Sequence, residues 1–104
     1  MKKIIDLIEV MDEEIEGAEK YAKMAEHCAE HKQSSCASTY ASMAEQELDH
    51  YDKLHQMLVN HMGEMREEDG FTSAVKAMYD HHHKGQVKRI ANVRYIIAQS
   101  KKSF

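Results

Sequence analysis

The sequence predicts an all-α fold, and three observations predict it. Its 104 residues contain no proline and only four glycines, so the two strongest helix breakers are nearly absent. Ala, Glu, Lys, Leu and Met are abundant, a composition that favours long helices over a sheet. Apolar residues also recur at three- and four-residue steps along three long segments instead of alternating. With 42 % hydrophobic and 31 % charged residues, the chain suits one small domain around a single modest core.

The first helix is predicted over 3–31. Ile4, Leu7, Ile8, Met11, Ile15, Ala18, Ala22, Ala25 and Ala29 form one continuous stripe at helical spacing. Advancing by about 100° per residue, Glu14 leans towards this stripe, with Tyr21 two turns later on the same side, while Glu13 and Glu16 point away. Gly17 lies inside the helix, where glycine costs about 1 kcal/mol relative to alanine. Either another helix approaches closely there or the helix simply tolerates it. His31 to Ser35 are assigned to a turn without glycine or proline, with Ser34 or Ser35 available to cap the second helix. Cys28 and Cys36 flank this turn and can approach one another; in a chain without a signal segment they are expected to be reduced thiols.

The second helix is predicted over 35–66, with Ala37, Tyr40, Ala41, Ala44, Leu48, Tyr51, His55, Leu58, Met62 and Met65 on one stripe. Two long helices joined by a short turn make an antiparallel hairpin. After the charged break Arg66-Glu67-Glu68-Asp69-Gly70, a third helix is predicted over 72–99, with Val75, Met78, Tyr79, His82, Ile90, Val93, Ile96 and Ile97 inward and Gly85 as a point where it can kink. Ser100 to Phe104 read as a frayed basic helix end.

Within the second helix, Ala44-Glu45-Gln46-Glu47-Leu48-Asp49-His50 places a carboxylate and an imidazole three residues apart, about one turn along the same face. Charge near a core is costly unless partnered, and a metal ion is one partner. A turn centred near residue 33 sets Glu14 level with positions 47 to 52, so Glu14, Glu47 and His50 are expected to meet. Two carboxylates and an imidazole suit iron, manganese or zinc. Three ligands cannot enclose two ions, and a dinuclear centre would need a second set, which a symmetric dimer completing a four-helix bundle would supply.

The segments Glu13 to Tyr21 and Ala44 to His50 resemble the ferritin-like superfamily, in particular the first helix pair of rubrerythrin and the two-helix encapsulated ferritins. The resemblance implies a di-iron site with Glu14, Glu47 and His50 as metal ligands, Glu47 bridging, and Tyr21 orienting a carboxylate or passing electrons. Glu13 and Glu16 match positions that guide incoming iron. It implies ferroxidase chemistry, in which dioxygen or peroxide oxidises Fe²⁺, within a homodimer or larger homo-oligomer. The second Glu-x-x-His half and the Cys-x-x-Cys module of rubrerythrin are absent from the sequence, and no tail for docking into an encapsulating shell protein is visible.

Other chemistries find little footing. No Ser-His-Asp arrangement, phosphate-cradling glycine loop or reactive-thiol motif is evident. The formal charge of −4 with neutral histidines and the lack of a basic run argue against nucleic acid. No apolar run is long enough for a signal or membrane segment, so the expected location is cytoplasmic. In the triplet His81-His82-His83 consecutive residues diverge around the helix and cannot share one ion; only His82 is placed on the inward stripe, as a ligand candidate or a core-edge residue. The eight methionines are read as gap fillers between helices, and Glu67-Glu68-Asp69 as a solvated charge run. Two function classes stay open: a dimeric di-iron enzyme, and a metal-free helical bundle with a structural or interaction role.

Overall fold

The computed structural model describes residues 2–66, 70 and 72–102. Three helices account for nearly all of them: α1 (Lys2–Glu30), α2 (Ser34–Glu64) and α3 (Ser73–Lys101). No strand occurs among the described residues. The acidic run Glu67-Glu68-Asp69 and the terminal Ser103 and Phe104 lie outside them.

Helices α1 and α2 form the antiparallel hairpin that their stripes demand, and α3 lies along one side of it. The connection is three residues long. Lys32 adopts a left-handed backbone (φ 59°), its N–H donates to the Ala29 carbonyl (3.0 Å), and the Gln33 N–H donates to the Cys28 carbonyl (2.8 Å). This pair of bonds is the Schellman closure, which satisfies the last carbonyls of α1 and reverses the chain. A lysine occupies the place glycine usually takes. The expected serine cap does not form: Gln33 is the N-cap of α2, without a side-chain cap bond, and Ser34 and Ser35 already belong to the first turn. The Schellman closure sets the helix start one residue earlier than the serines could.

At the other end of the molecule Thr72 caps α3, its hydroxyl accepting from the Val75 N–H at 3.3 Å. The helix runs unbroken through Gly85. It also continues past 99. Ser100 is buried, with its hydroxyl donating to the Ile96 carbonyl (2.9 Å), and Lys101 pairs with Glu45 of α2, so these two residues are anchored helix and not a frayed tail.

Two packed clusters divide the interior along its length. Near the chain start, Ile4, Leu7, Ile8, Met11 and Ile15 pack with Tyr51, Leu58 and Val75. Towards the hairpin turn, Ala18, Ala22, Ala25, Ala41 and Ala44 let α1 and α2 approach closely, while Leu48, Val93 and Ile97 fill the groove they leave. The molecule is a rod of 56 × 18 × 15 Å. In so thin a bundle the hairpin face turned away from α3 stays open. Glu14, between Met11 and Ala18, and Glu47, between Ala44 and Leu48, fall where the two clusters meet. Among the described residues no helix is long and apolar enough to cross a membrane.

Candidate metal centre

In an antiparallel hairpin, residues equally far from the turn face one another. The three-residue turn therefore sets Glu14 opposite His50 and Gly17 opposite Glu47. His50 Nδ1 lies 3.3 Å from a Glu14 carboxylate oxygen and 4.0 Å from one of Glu47. One ligand atom from each of the three residues can be chosen so that all lie within 4.8 Å of one another. Ligand atoms about 2.0–2.2 Å from a common ion lie no more than about 4.4 Å apart, so only the widest of these separations would need to contract.

Gly17 makes room for this arrangement. A Cβ built there would sit 2.8 Å from Glu47 Oε2 and 3.3 Å from its Cδ, well inside contact distance. The approach that a mid-helix glycine signals is made by the Glu47 side chain and not by a helix backbone. Glycine here costs helix stability and gives a carboxylate a seat against α1.

The electrostatics are those of a crowded acid pair. The Glu47 carboxyl is held above the usual carboxylate range, first by its hydrogen bond with Glu14, then by burial and by the Glu14 charge, with His50 opposing. The shift favours a proton held between the two carboxyls, which a cation would displace. The side chains of Glu14 and Glu47 are 23 % and 25 % exposed and that of His50 53 %, so the site opens outward on the face opposite α3. A cation held there would have protein on one side and free coordination positions on the other.

Of the other residues predicted for the site, none joins it. Tyr21 is half-buried with its ring stacked on Tyr40 (centroids 6.2 Å, 26°), and among the described residues no hydrogen bond links its phenol to the three. Glu13 and Glu16 are exposed, and the charge of Glu16 is felt by Arg89 on the α3 side. His82 is exposed too. It edges a shallow cleft with Asp12, Gln86 and Arg89, whereas His83 takes the packed place, because α2 presents the ring of His55 there, stacked at 4.7 Å and 4°. The inward position thus belongs to His83, on the α2 side of the α3 stripe, and the expectation for His82 is corrected.

Two features escaped the sequence. Gln86 is buried, its amide donating to Asp12 (2.9 Å) while its carbonyl accepts from the Tyr51 phenol (3.2 Å). A polar residue on an apolar stripe carries no label that says which partners await it. Arg89 grips Glu19 through two bonds (3.2 and 2.6 Å) and lies 3.8 Å from Asp12. Cys28 and Cys36 are free thiols, and hydrogen bonding to Cys36, with burial, pushes the Cys28 thiol up. A surface groove of about 690 Å³ beside the turn, lined by Cys36, Thr39, Tyr40 and Met43 among others, contains neither a carboxylate nor an imidazole and is set apart from the Glu14, Glu47 and His50 cluster.

Compared with family models, with curated proteins and with solved structures, the chain matches none.

Proposed function

We propose that the chain binds a divalent transition-metal ion through Glu14, Glu47 and His50, and that two copies pair across the open hairpin face to bring two such sets together. The observation that carries this reading is the seat for Glu47: three ligand-bearing side chains converge within 4.8 Å, and a glycine stands where any side chain would push one of them out. The resemblance of residues 13–21 and 44–50 to ferritin-like proteins supports iron as the ion. The pairing face is supported by apolar side chains flanking the site at helical spacing. Val10, one turn before Glu14, is 38 % exposed and Met57, two turns after His50, is 51 % exposed; such a patch favours association.

The chemistry proposed is oxidation of ferrous iron as substrate. Two Fe²⁺ each give up one electron to dioxygen, which takes two protons to become hydrogen peroxide. The carboxylates offset the rising charge of the oxidised ions, and the proton shared by Glu47 and Glu14 leaves as iron enters. His50, the most exposed of the three, would be the first to meet an incoming ion.

A second reading rests on the same cluster. Glu47 bonds Glu14 and His50 pairs with Glu14, so the three groups are mutually satisfied without an ion, as a structural helix pair would require. Chelator competition on protein purified without a histidine tag separates the two. The expected result is about one Fe²⁺ per chain for the wild type and loss of that uptake in Glu47→Ala. Equal uptake by both proteins overturns the ligand assignment.

A further inference from the structure

On the opposite side of α2 from the carboxylate site, four aromatic rings interlock between α2 and α3. His55 stacks on His83 (4.7 Å, 4°) and on Tyr79 (6.4 Å, 11°), Tyr51 stacks on His55 (5.9 Å, 4°), and Tyr79 lies against His83 (5.5 Å, 13°). His55 Nε2 is 2.8 Å from the Tyr79 hydroxyl, and His83 Nδ1 is 3.5 Å from that of Tyr51. We propose that this stack is a pH-sensitive latch: with neutral imidazoles it holds the first half of α3 on the hairpin, and protonation of both histidines releases it.

The position of the two imidazoles sets the effect of each proton. One proton gives a cation on the face of a neutral ring, which is tolerable. A second gives two parallel cations in van der Waals contact, with few carboxylates at hand. From α2 the nearest acid is Asp52, which is exposed and favours the charged form of His55, but burial and the neighbouring His83 outweigh it and hold His55 below the ordinary histidine range. From α1 the facing acid is Asp12, already engaged by Gln86 and Arg89. From α3 Asp80 is exposed and pairs with Lys76 at 3.7 Å. The phenols of Tyr51 and Tyr79, the remaining facing groups, are pushed up, that of Tyr51 to about 12, and stay neutral throughout.

The two halves of α3 are held by different chemistry. Residues 75–86 rest on the ring stack, on Gln86 and on Val75 and Met78. The second half is held by Arg89 to Glu19, Lys101 to Glu45, and the buried Val93 and Ile97, none of which changes charge near neutrality. Between them Gly85 has open space around it, so no steric demand explains a glycine there, and its low helix propensity makes it the natural bending point.

Hydrogen-exchange mass spectrometry on the full chain, expressed as protection factors to remove the intrinsic pH dependence of exchange, tests the latch. Between pH 7.5 and 5.5 the protection of residues 75–86 is expected to fall at least tenfold, while residues 90–100 and the α1–α2 hairpin change less than twofold. The His55→Phe/His83→Phe double variant, which keeps stacked rings but cannot take up protons, is expected to show no such fall. Unchanged protection in the wild type, an equal fall in all three helices, or the same local fall in the double variant overturns the proposal. Should the double variant fail to fold, NMR titration of the wild-type imidazoles decides: a His55 midpoint below the ordinary value of about 6.5 is expected, and one at or above it overturns the latch.

Discussion

At the scale of single residues, Gly17 opposes stability to binding. Alanine there would recover about 1 kcal/mol of helix propensity, yet its methyl group would meet the Glu47 carboxylate at 2.8 Å. Because the obstructing atom is the end of a flexible side chain, Glu47 can swing outward and the fold survives. Gly17→Ala is therefore expected to melt at or above the wild-type temperature while binding Fe²⁺ or Zn²⁺ at least tenfold more weakly, which calorimetry and metal titration check side by side. Glu47→Gln is expected to do the same for another reason. A carboxyl whose folded value is raised contributes stability that is fully present below its unfolded pKa of about 4.5 and is lost as pH rises through the folded value. At pH 7 the amide avoids that loss, so the metal-free variant is expected to be at least as stable as the wild type, and metal should no longer raise its melting temperature. The convergence of Glu14, Glu47 and His50 was legible because helix spacing and hairpin register are both periodic. The stacking of Tyr21 on Tyr40 and the choice of His83 over His82 were not, since each depends on which ring the facing helix presents.

At the scale of elements, the hairpin was readable from its stripes, but its turn was not. Schellman closure is a backbone event, and the positive φ of Lys32 leaves no mark in the sequence when glycine is absent. Lys32→Gly is expected to stabilise the protein by about 1 kcal/mol, because glycine takes up that conformation without a Cβ penalty; urea denaturation would register it. The start of α3 responds in the opposite direction. Thr72→Ala removes the hydroxyl that accepts the Val75 N–H and is expected to cost about 1 kcal/mol. The end of α3 lay beyond sequence reasoning because Ser100 and Lys101 are ordered by Ile96 and Glu45, partners that only tertiary structure supplies.

At the scale of the whole molecule, charge fastens the third helix to the first two. Six lysines and arginines against one aspartate make α3 basic, and the hairpin it lies on is acidic. Arg89 holds Glu19 through two bonds, which keeps the Glu19 carboxyl below the usual range. A carboxyl lowered in this way contributes stability above its unfolded value of about 4.5 that is lost as pH falls through the folded one. Arg89→Ala is expected to cost up to about 1 kcal/mol, the upper end for a partly exposed pair, and the deficit should shrink in 1 M salt. If urea midpoints of variant and wild type differ equally at low and high salt, the contribution of Arg89 is packing of its stem and not charge.

The rod shape, 56 Å long and 18 Å or less across, also fixes how self-association would look in solution. A slender particle meets more drag than a sphere of equal mass, so a single copy should migrate through a gel matrix as if it were heavier than 12.0 kDa. Pairing side by side across the open face would double the thickness and leave the length nearly unchanged. The dimer would be the rounder particle, and its sedimentation coefficient should rise by more than doubled mass at constant shape would produce. Pairing end to end would lengthen the rod, and the coefficient would rise by less.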